Sequence, residues 1–294
     1  MLHVNCTCIL YALICCPIFA QTSWKAEHCR NLAGESEPAG PKVIIDDIVL
    51  DSSTDVAATV WNQIVSETKR QAFSGDNWVE ELREVNFRGE LQNHGYFTPD
   101  VASEGKVVSS SPTLQHVVVH ARVRGGIRYK LSGIQFRSQD PERHLAYSIE
   151  ELRTFIPLHD GDIFSIEKVR NGIDALRRYY DSRGYIDFVA AVETQIDDAQ
   201  QQIAVLLSLD EGIQFRLAEI ETVGLDARLE KELWSIVKSG DVVNLQVIAD
   251  FYRNHKSKLP EEVLPEDTQF RRNIKQKTVD AFFDFRSCSQ LLQN

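Results

Sequence analysis

The sequence predicts an α+β fold of three similar domains in tandem, each with two helices covering one face of a three-stranded sheet. Three observations predict it. A Gly-Asp step recurs at Gly75, Gly161 and Gly240. Each step lies between segments whose apolar residues recur at helical spacing. Each copy then ends in alternating apolar residues, which are typical of a strand with one buried face.

The two helices are clearest in the middle copy. Apolar residues recur at steps of three and four over 149–156 before Gly161, and over 166–180 after it. Glycine can take the left-handed conformation that ends a first helix. Asp162 or Ser165 can then cap the second helix.

A Gly-Tyr pair marks the end of the second helix. It occurs as Gly184-Tyr185 in the middle copy and as Gly95-Tyr96 in the first. The third copy has 252–256 at this place, without the pair. Trp61 and Trp78 fall on apolar helical faces, so we expect them in the core.

Strands open and close each copy. Alternating apolar residues predict the closing strands over 117–123, 203–209 and 279–285. Extended segments open the copies at 42–50, 127–131 and 213–217. Each unit is therefore strand, helix, helix, strand, strand, which is long enough to bury a modest core. The alternative is a single larger α/β domain in which the recurrence is accidental.

The repeat and the flanking segments divide the chain into six parts. They are a signal peptide at 1–20, a flexible linker at 21–40, domains at 41–126, 127–212 and 213–288, and a tail at 289–294. The third domain is atypical, because it lacks the Gly-Tyr pair.

The amino terminus predicts secretion. Residues 8–20 form an apolar run as long as a signal-peptide core and too short to span a bilayer comfortably. Ile18-Phe19-Ala20 precedes Gln21 in a way that suits a signal peptidase. Residues 1–10 contain no Lys or Arg, so an uncleaved anchor stays open as an alternative, as does a lipid-modified Cys16.

Cys29 and Cys288 are the cysteines that cleavage would leave. A disulfide needs its Cα atoms within about 7 Å, and three domains in a row would hold the chain ends far apart. We therefore expect free or intermolecular thiols, with an intramolecular bridge between Cys29 and Cys288 as the alternative. No cysteine or histidine spacing indicates a zinc site.

The charge balance excludes two classes of partner. Lys and Arg total 32 against 43 Asp and Glu, for a net charge of −11. Nucleic-acid binders gain affinity by neutralising phosphates, so an acidic chain is not expected to bind nucleic acid. The same charge opposes docking on an anionic membrane surface.

The side chains that suggest chemistry have simpler explanations. His116 and His120 share a strand face that is expected to be solvated, so we predict no metal site there. His159-Asp160 lies at a predicted turn with no nucleophile nearby. Asp46-Asp47 and Asp197-Asp198 lack the setting that raises a catalytic carboxyl pKa. We therefore predict no enzyme activity, no metal and no cofactor.

The Gly-Asp step, the Gly-Tyr pair and the glycine after the closing strand recur in this order. This pattern resembles tandem POTRA (polypeptide-transport-associated) domains, found in outer-membrane assembly and secretion proteins of the BamA/TamA type. The matching segments are Gly161-Asp162-Ile163-Phe164, 177–185, Leu209-Asp210-Glu211-Gly212 and 215–220. The likeness is strongest over 127–225, moderate over 41–126 and 226–259, and weak beyond 260.

The resemblance implies a mixed sheet with the third strand at the centre and the second at an edge. Family members bind periplasmic proteins and extended polypeptides, and an unpaired edge offers backbone donors and acceptors to an incoming strand. Carried onto this chain, the polypeptide-binding edge is Phe188, Val189, Ala190, Ala191, Val192 and Glu193.

Two departures from the family pattern matter. Pro260 and Pro265 occupy the stretch that should become the third edge strand. Because Pro removes backbone donors, we expect the third copy to lack this edge or to have it otherwise occupied. A membrane barrel needs well over ~200 residues, so we expect none after Cys288 in this sequence.

The sequence thus predicts a non-enzymatic periplasmic scaffold or chaperone-like module in outer-membrane protein assembly or export. Its expected partners are outer-membrane barrel or envelope proteins and extended polypeptide clients, with membrane association only through a partner or an uncleaved amino terminus. The alternative is an inner-membrane-anchored cell-division or envelope protein with periplasmic POTRA domains. An unrecognised enzyme is the third hypothesis.

Overall fold

A computed structural model describes residues 29, 40–51 and 54–292. They contain three sheets, each with its own buried core. The predicted signal peptide, and the predicted linker apart from Cys29 and Gly40, lie outside the described residues. Among the helices described, none combines the length and the apolar character needed to cross a bilayer.

The first domain has a four-stranded sheet in the order β2-β1-β4-β3. Its elements are β1 (Lys42–Leu50), α1 (Ala58–Thr68), β2 (Ala72–Phe73), α2 (Trp78–Glu81), a π-helical segment (Leu82–Gly89), α3 (Glu90–Asn93), β3 (Asp100–Ser110) and β4 (Leu114–Arg124). The central β4 pairs parallel with β1 and antiparallel with β3. The second helix of the predicted pattern is therefore divided, and β2 is an addition to that pattern.

The middle domain has a three-stranded sheet in the order β5-β7-β6. Its elements are β5 (Lys130–Ser138), α4 (Ile149–Arg153), α5 (Ile166–Asp181), β6 (Val189–Asp197) and β7 (Gln202–Asp210). Strand β7 is parallel to β5 and antiparallel to β6. The third strand is central and the second is at an edge, as expected.

The third domain repeats this sheet in the order β8-β10-β9. Its elements are β8 (Arg216–Val223), α6 (Ala227–Ile236), α7 (Leu245–His255), a 3-10 turn (Pro265–Asp267), β9 (Gln269–Asn273), β10 (Thr278–Asp284) and α8 (Cys288–Leu292). The predicted fold class, three tandem α+β units with mixed sheets, is confirmed.

The cores follow the alternation of the central strands. In β7, Ile203, Val205, Leu207 and Leu209 are fully buried beneath the helices. On α5, Gly172 lets the helix approach the segment before it, because a Cβ at this position would lie 2.9 Å from the Cα of Ile156. Each domain thus buries its own apolar face, which makes it a separate packing unit.

The Gly-Asp steps do not end the first helices, which corrects the expectation. Gly161 and Gly240 do have positive φ values of 87° and 88°. However, α4 ends at Arg153 and α6 at Ile236, well before the glycines. Instead, the N–H of Gly161 donates to Leu131 O and that of Gly240 to Leu217 O, both at 2.8 Å. The corner therefore pairs with the start of the domain's first strand. The side chain of Ser165 caps α5, as predicted, by accepting from Lys168 N.

The Gly-Tyr pairs form the joints between domains. At the first joint, Tyr129 N donates to Gly95 O (2.8 Å), and Arg128 Nε donates to His94 O (2.9 Å). The ring of Phe97 meets that of Phe164 edge-on, with centroids 5.4 Å apart.

The second joint repeats the first with equivalent atoms. Phe215 N donates to Gly184 O (2.9 Å), and Gln214 Nε2 donates to Arg183 O (2.9 Å). Gly184 has φ +84°, and a Cβ there would lie 2.7 Å from Phe215 O, so only glycine fits. The repeated joint holds each pair of neighbouring domains by the same backbone contact.

The third domain does have a second strand, so the expectation that it lacks this edge is wrong. Pro260 precedes the 3-10 turn and Pro265 begins it, where a missing N–H removes no ladder hydrogen bond. The strand that follows, β9, has five residues against nine in β6. The prolines therefore shorten the edge without abolishing it.

Cys29 and Cys288 form a disulfide, with Cα atoms 5.3 Å apart. The expectation that the domain row would keep these residues far apart is wrong. Cys29 precedes the first domain, so its place in the row of domains does not follow from its position in the sequence. The bond closes a loop with a sequence separation of 259 residues.

Candidate polypeptide-binding edge

Strand β6 presents one unpaired side to solvent. It pairs with β7 in an unbroken antiparallel register from Val189↔Asp210 to Asp197↔Gln202. In the described part of the chain, no strand lies on its other side. All of its residues are exposed except Ala190, which packs against the core. Its free backbone groups can therefore accept another strand.

The helix side of β6 is apolar and uncovered. Val192, Thr194 and Ile196 lie directly opposite three buried β7 residues, and so they share the side of the sheet that carries the helices. Val192 and Ile196 are each 45% exposed. They form an exposed apolar strip along the helix side of the free edge.

The other side of β6 is fixed by an arginine on β5. Arg137 donates from Nη2 to Glu193 Oε1 (2.9 Å) and from Nε to Ser208 Oγ (2.7 Å). The three strands are thus linked across this face, which orients Glu193 toward β5 and away from the edge. Such a half-exposed ion pair contributes about 1 kcal/mol or less.

Phe188 lies just before β6 and is buried, so it cannot offer its side chain to a partner. Its ring stacks on Tyr180 with centroids 4.2 Å apart. Tyr180 Oη donates to Glu211 (2.5 Å), which also accepts from Ala146 N. Burial, with the hydrogen bond to Glu211, strongly raises the pKa of Tyr180. Of the predicted edge residues, Val189 to Glu193 lie on the strand, and Phe188 anchors its start.

The first-domain edge is blunted in two ways that sequence reasoning missed. The pairing of β3 with β4 shifts register between Val107 and Ser109, which is a β-bulge. The indole of Trp78 lies over Gly105 on the helix side, where even a Cβ would clash with the ring. Trp78, predicted to be core, is only partly buried. Bulges and coverage are the usual ways in which edge strands avoid pairing.

The third-domain edge strand β9 carries a side-chain contact with the neighbouring domain. Arg272 on β9 pairs with Asp187 of the middle domain (2.7 Å). Phe270, which faces the helices from the same strand, packs against the third core. In the part of the chain that the structure describes, the ion pair leaves the backbone edge of β9 unpaired, so whether this edge has another occupant stays a prediction.

The remaining polar candidates are held in local pairs. His116 Nδ1 bonds to Asp46 (2.7 Å) and His120 Nδ1 to Asp51 (2.8 Å). The backbone N–H of His159 donates to the side chain of Asp162 in the turn. Within residues 29, 40–51 and 54–292, no three His, Cys, Asp or Glu side chains are grouped as metal ligands.

Comparison with known proteins identifies the middle domain. A family model described as "POTRA: Surface antigen variable number repeat" matches residues 129–212. This segment is a POTRA domain. It contains β5, β6, β7 and both helices, so the candidate edge lies inside the matched residues.

One solved structure extends the likeness of fold beyond the middle domain. POTRA domains 3–5 of BamA from Haemophilus influenzae align over 86% of this chain and 100% of that one, with 18% identity and a TM-score of 0.58. BamA from Haemophilus ducreyi lacking POTRA domains 1–3 aligns over 56% and 29%, with 15% identity and a TM-score of 0.42. The first of these comparisons shows that the chain has the fold of three tandem POTRA domains.

Proposed function

We propose that this chain is a non-enzymatic periplasmic scaffold that acts in outer-membrane protein assembly or export. Its partners would be outer-membrane barrel or envelope proteins, and its clients extended polypeptides. The POTRA match and the BamA-like fold support this assignment. The binding surface is the β6 edge of the middle domain.

One observation carries the choice of edge. Of the edge strands β3, β6 and β9, β6 alone combines nine residues, an unbroken register and an uncovered apolar strip. Strand addition draws affinity from main-chain hydrogen bonds and specificity from alternate side chains. A client strand on β6 would place every second side chain against Val192 and Ile196.

A pair of proline substitutions tests the backbone part of the proposal. The N–H groups of adjacent strand residues point in opposite directions. Of Val192→Pro and Glu193→Pro, one therefore removes an outward donor, and the other breaks a hydrogen bond to β7. Thermal unfolding identifies the variant that keeps its fold. We expect this variant to capture an unfolded outer-membrane barrel polypeptide at least tenfold more weakly.

Matched variants in the first domain provide the control. Val107→Lys with Val108→Lys places charge on the bulged β3 edge, and Val192→Lys with Ile196→Lys does so on β6. Capture should fall only for the β6 pair, because β3 is blunted. Equal capture by both pairs and by the unsubstituted chain would refute the β6 assignment.

A further inference from the structure

Trp234 on α6 lies in an unusual position beside the first strand of the third domain. Its side chain is 49% exposed, yet its position is fixed because Nε1 donates to Thr222 Oγ1 on β8 (2.9 Å). An indole that is held in place with much of its ring in solvent is typical of a recognition surface.

The middle domain shows that the fold does not require this tryptophan. The middle-domain helix α4 has five residues and ends at Arg153, whereas α6 has ten residues and carries Trp234 in its last turn. Arg153 turns back onto its own domain and donates to the carbonyl oxygens of Ile156 and Leu158. The exposed aromatic group therefore belongs to the third domain specifically.

Trp234 borders an open groove between α6 and β8. The concavity has a volume of about 380 Å³ and is lined by Ile220, Trp234, Val237, Lys238 and Ser239. Three of the lining residues are apolar, and Lys238 and Ser239 add a cation and a hydroxyl group. A single large apolar side chain fits a space of this size.

The backbone beside the groove is available for pairing. The outer side of Leu217 is already used, because Leu217 N donates to Asp241 O and Leu217 O accepts from Gly240 N. From Ala218 onward, β8 has β10 on one side and no other strand described on its outer side. The free edge therefore runs directly past Ile220 and Trp234.

The charges of β8 indicate which strand would fit. Ile220 and Thr222 face the groove, so Glu219 and Glu221, which alternate with them, face the opposite side and are exposed. Opposite charges on directly paired strands are favourable, and like charges are unfavourable. An incoming strand that carries Lys or Arg on this side would be matched, whereas an acidic one would be repelled.

We propose that the free edge of β8 and the Trp234 groove form a second strand-binding site, on a different domain from β6. Its occupant is an extended segment that alternates apolar residues, one of them seated against Trp234, with Lys or Arg facing Glu219 and Glu221. The site extends the proposed function, because two domains of one chain can then hold separate strands.

A labelled peptide that alternates Lys with Val around a central Phe tests this site by fluorescence anisotropy with the full chain. We expect Trp234→Ala to weaken binding at least tenfold and Glu219→Lys with Glu221→Lys at least fivefold. Methylation of alternate peptide nitrogens should abolish binding, because it removes the donors that pair with β8. Leu264→Ala, another exposed apolar side chain of the third domain, is the matched control and should bind normally.

Separate outcomes distinguish this site from β6. Because β6 is also proposed to accept extended strands, the peptide is titrated in the Val192→Lys with Ile196→Lys background, where the binding that remains belongs to β8. Loss of all binding in that background would place the peptide on β6 and overturn the second site. Unchanged affinity in Trp234→Ala, or in Trp234→Arg should Trp234→Ala unfold, would also overturn it. Equal binding of the peptide with Glu in place of Lys would contradict the charge match.

Discussion

The edges of the first and middle domains occupy equivalent positions in the same fold, yet only one is open. Strand β3 is longer than β6, but it carries a bulge beside Val107 and the indole of Trp78 over Gly105. Strand β6 is regular, and Val192 and Ile196 remain uncovered. A shared fold therefore does not decide which edge can bind, and a few local residues do.

The largest expected effect is a difference between the first and middle domains in the pH at which they unfold. The middle domain contains five of the eight tyrosines, and the first contains only Tyr96. Burial raises the pKa of Tyr179 to about 12, and the pKa of Tyr180 is also raised. Because these pKa values exceed the ordinary value of about 10, the neutral rings stabilise the fold below pH ~10. This stability is lost as pH rises through the folded pKa values.

We therefore expect the middle domain, with the β6 edge, to unfold in alkali before the first domain. Tyrosinate absorbance reports mainly on the middle domain. The fluorescence of Trp61 and Trp78 reports on the first domain in a background with both Trp24→Phe and Trp234→Phe. Tyr180→Phe should unfold at a higher pH, although loss of the bond to Glu211 costs it about 1–2 kcal/mol at neutral pH. Simultaneous unfolding of both domains would contradict this account.

The next effect comes from removing the cover on the first edge. Trp78→Ala should destabilise the first domain by about 2–3 kcal/mol, at or below the low end for aromatic truncation, because the ring is only partly buried. It should also expose the helix side of β3 and allow some client capture there. Urea unfolding measures the loss of stability. A crosslinking residue in place of Glu104 on β3 measures client capture. Stability lost without new capture would mean that Trp78 serves packing alone.

A smaller effect is expected from repairing the bulge. Deletion of Val108 gives β3 a regular register with β4, and the exposed site should limit the cost to about 1 kcal/mol. The straightened edge should bind clients more strongly than the unmodified first domain. Val192→Lys with Ile196→Lys in the same chain prevents binding at β6, so that binding at β3 can be measured alone. If binding does not rise, then the bulge does not control access to β3.

The sequence could predict these edges only in part. Alternating apolar residues located the central strands, and glycines in recurring steps marked positions of positive φ, because both signals are local. The cover on Gly105 could not be predicted, since it depends on where the fold places Trp78. The sequence offers the Cys29–Cys288 disulfide only as an alternative, because it too depends on where the fold places distant residues. The role of Gly161 in pairing with Leu131 likewise depends on residues distant in sequence.

The smallest effect is a change in stability when the ion pair of β9, the edge strand of the third domain, is removed. Arg272→Ala breaks the ion pair with Asp187, and because both side chains are about 40% exposed, the loss should stay below about 1 kcal/mol. The effect should shrink in high salt. Asp187→Asn is the matched partner variant, and the two substitutions together should cost no more than either one alone. A cost that adds fully would show that the pair is not coupled.

Hydrogen exchange with and without a client tests the central claim most directly. Among the residues that the structure describes, none pairs with the outward amides of β6. These amides should therefore exchange rapidly and become protected when an unfolded barrel polypeptide binds. The amides of β3 should not change. Protection of β3 with none in β6, under conditions where the client is bound, would contradict the account.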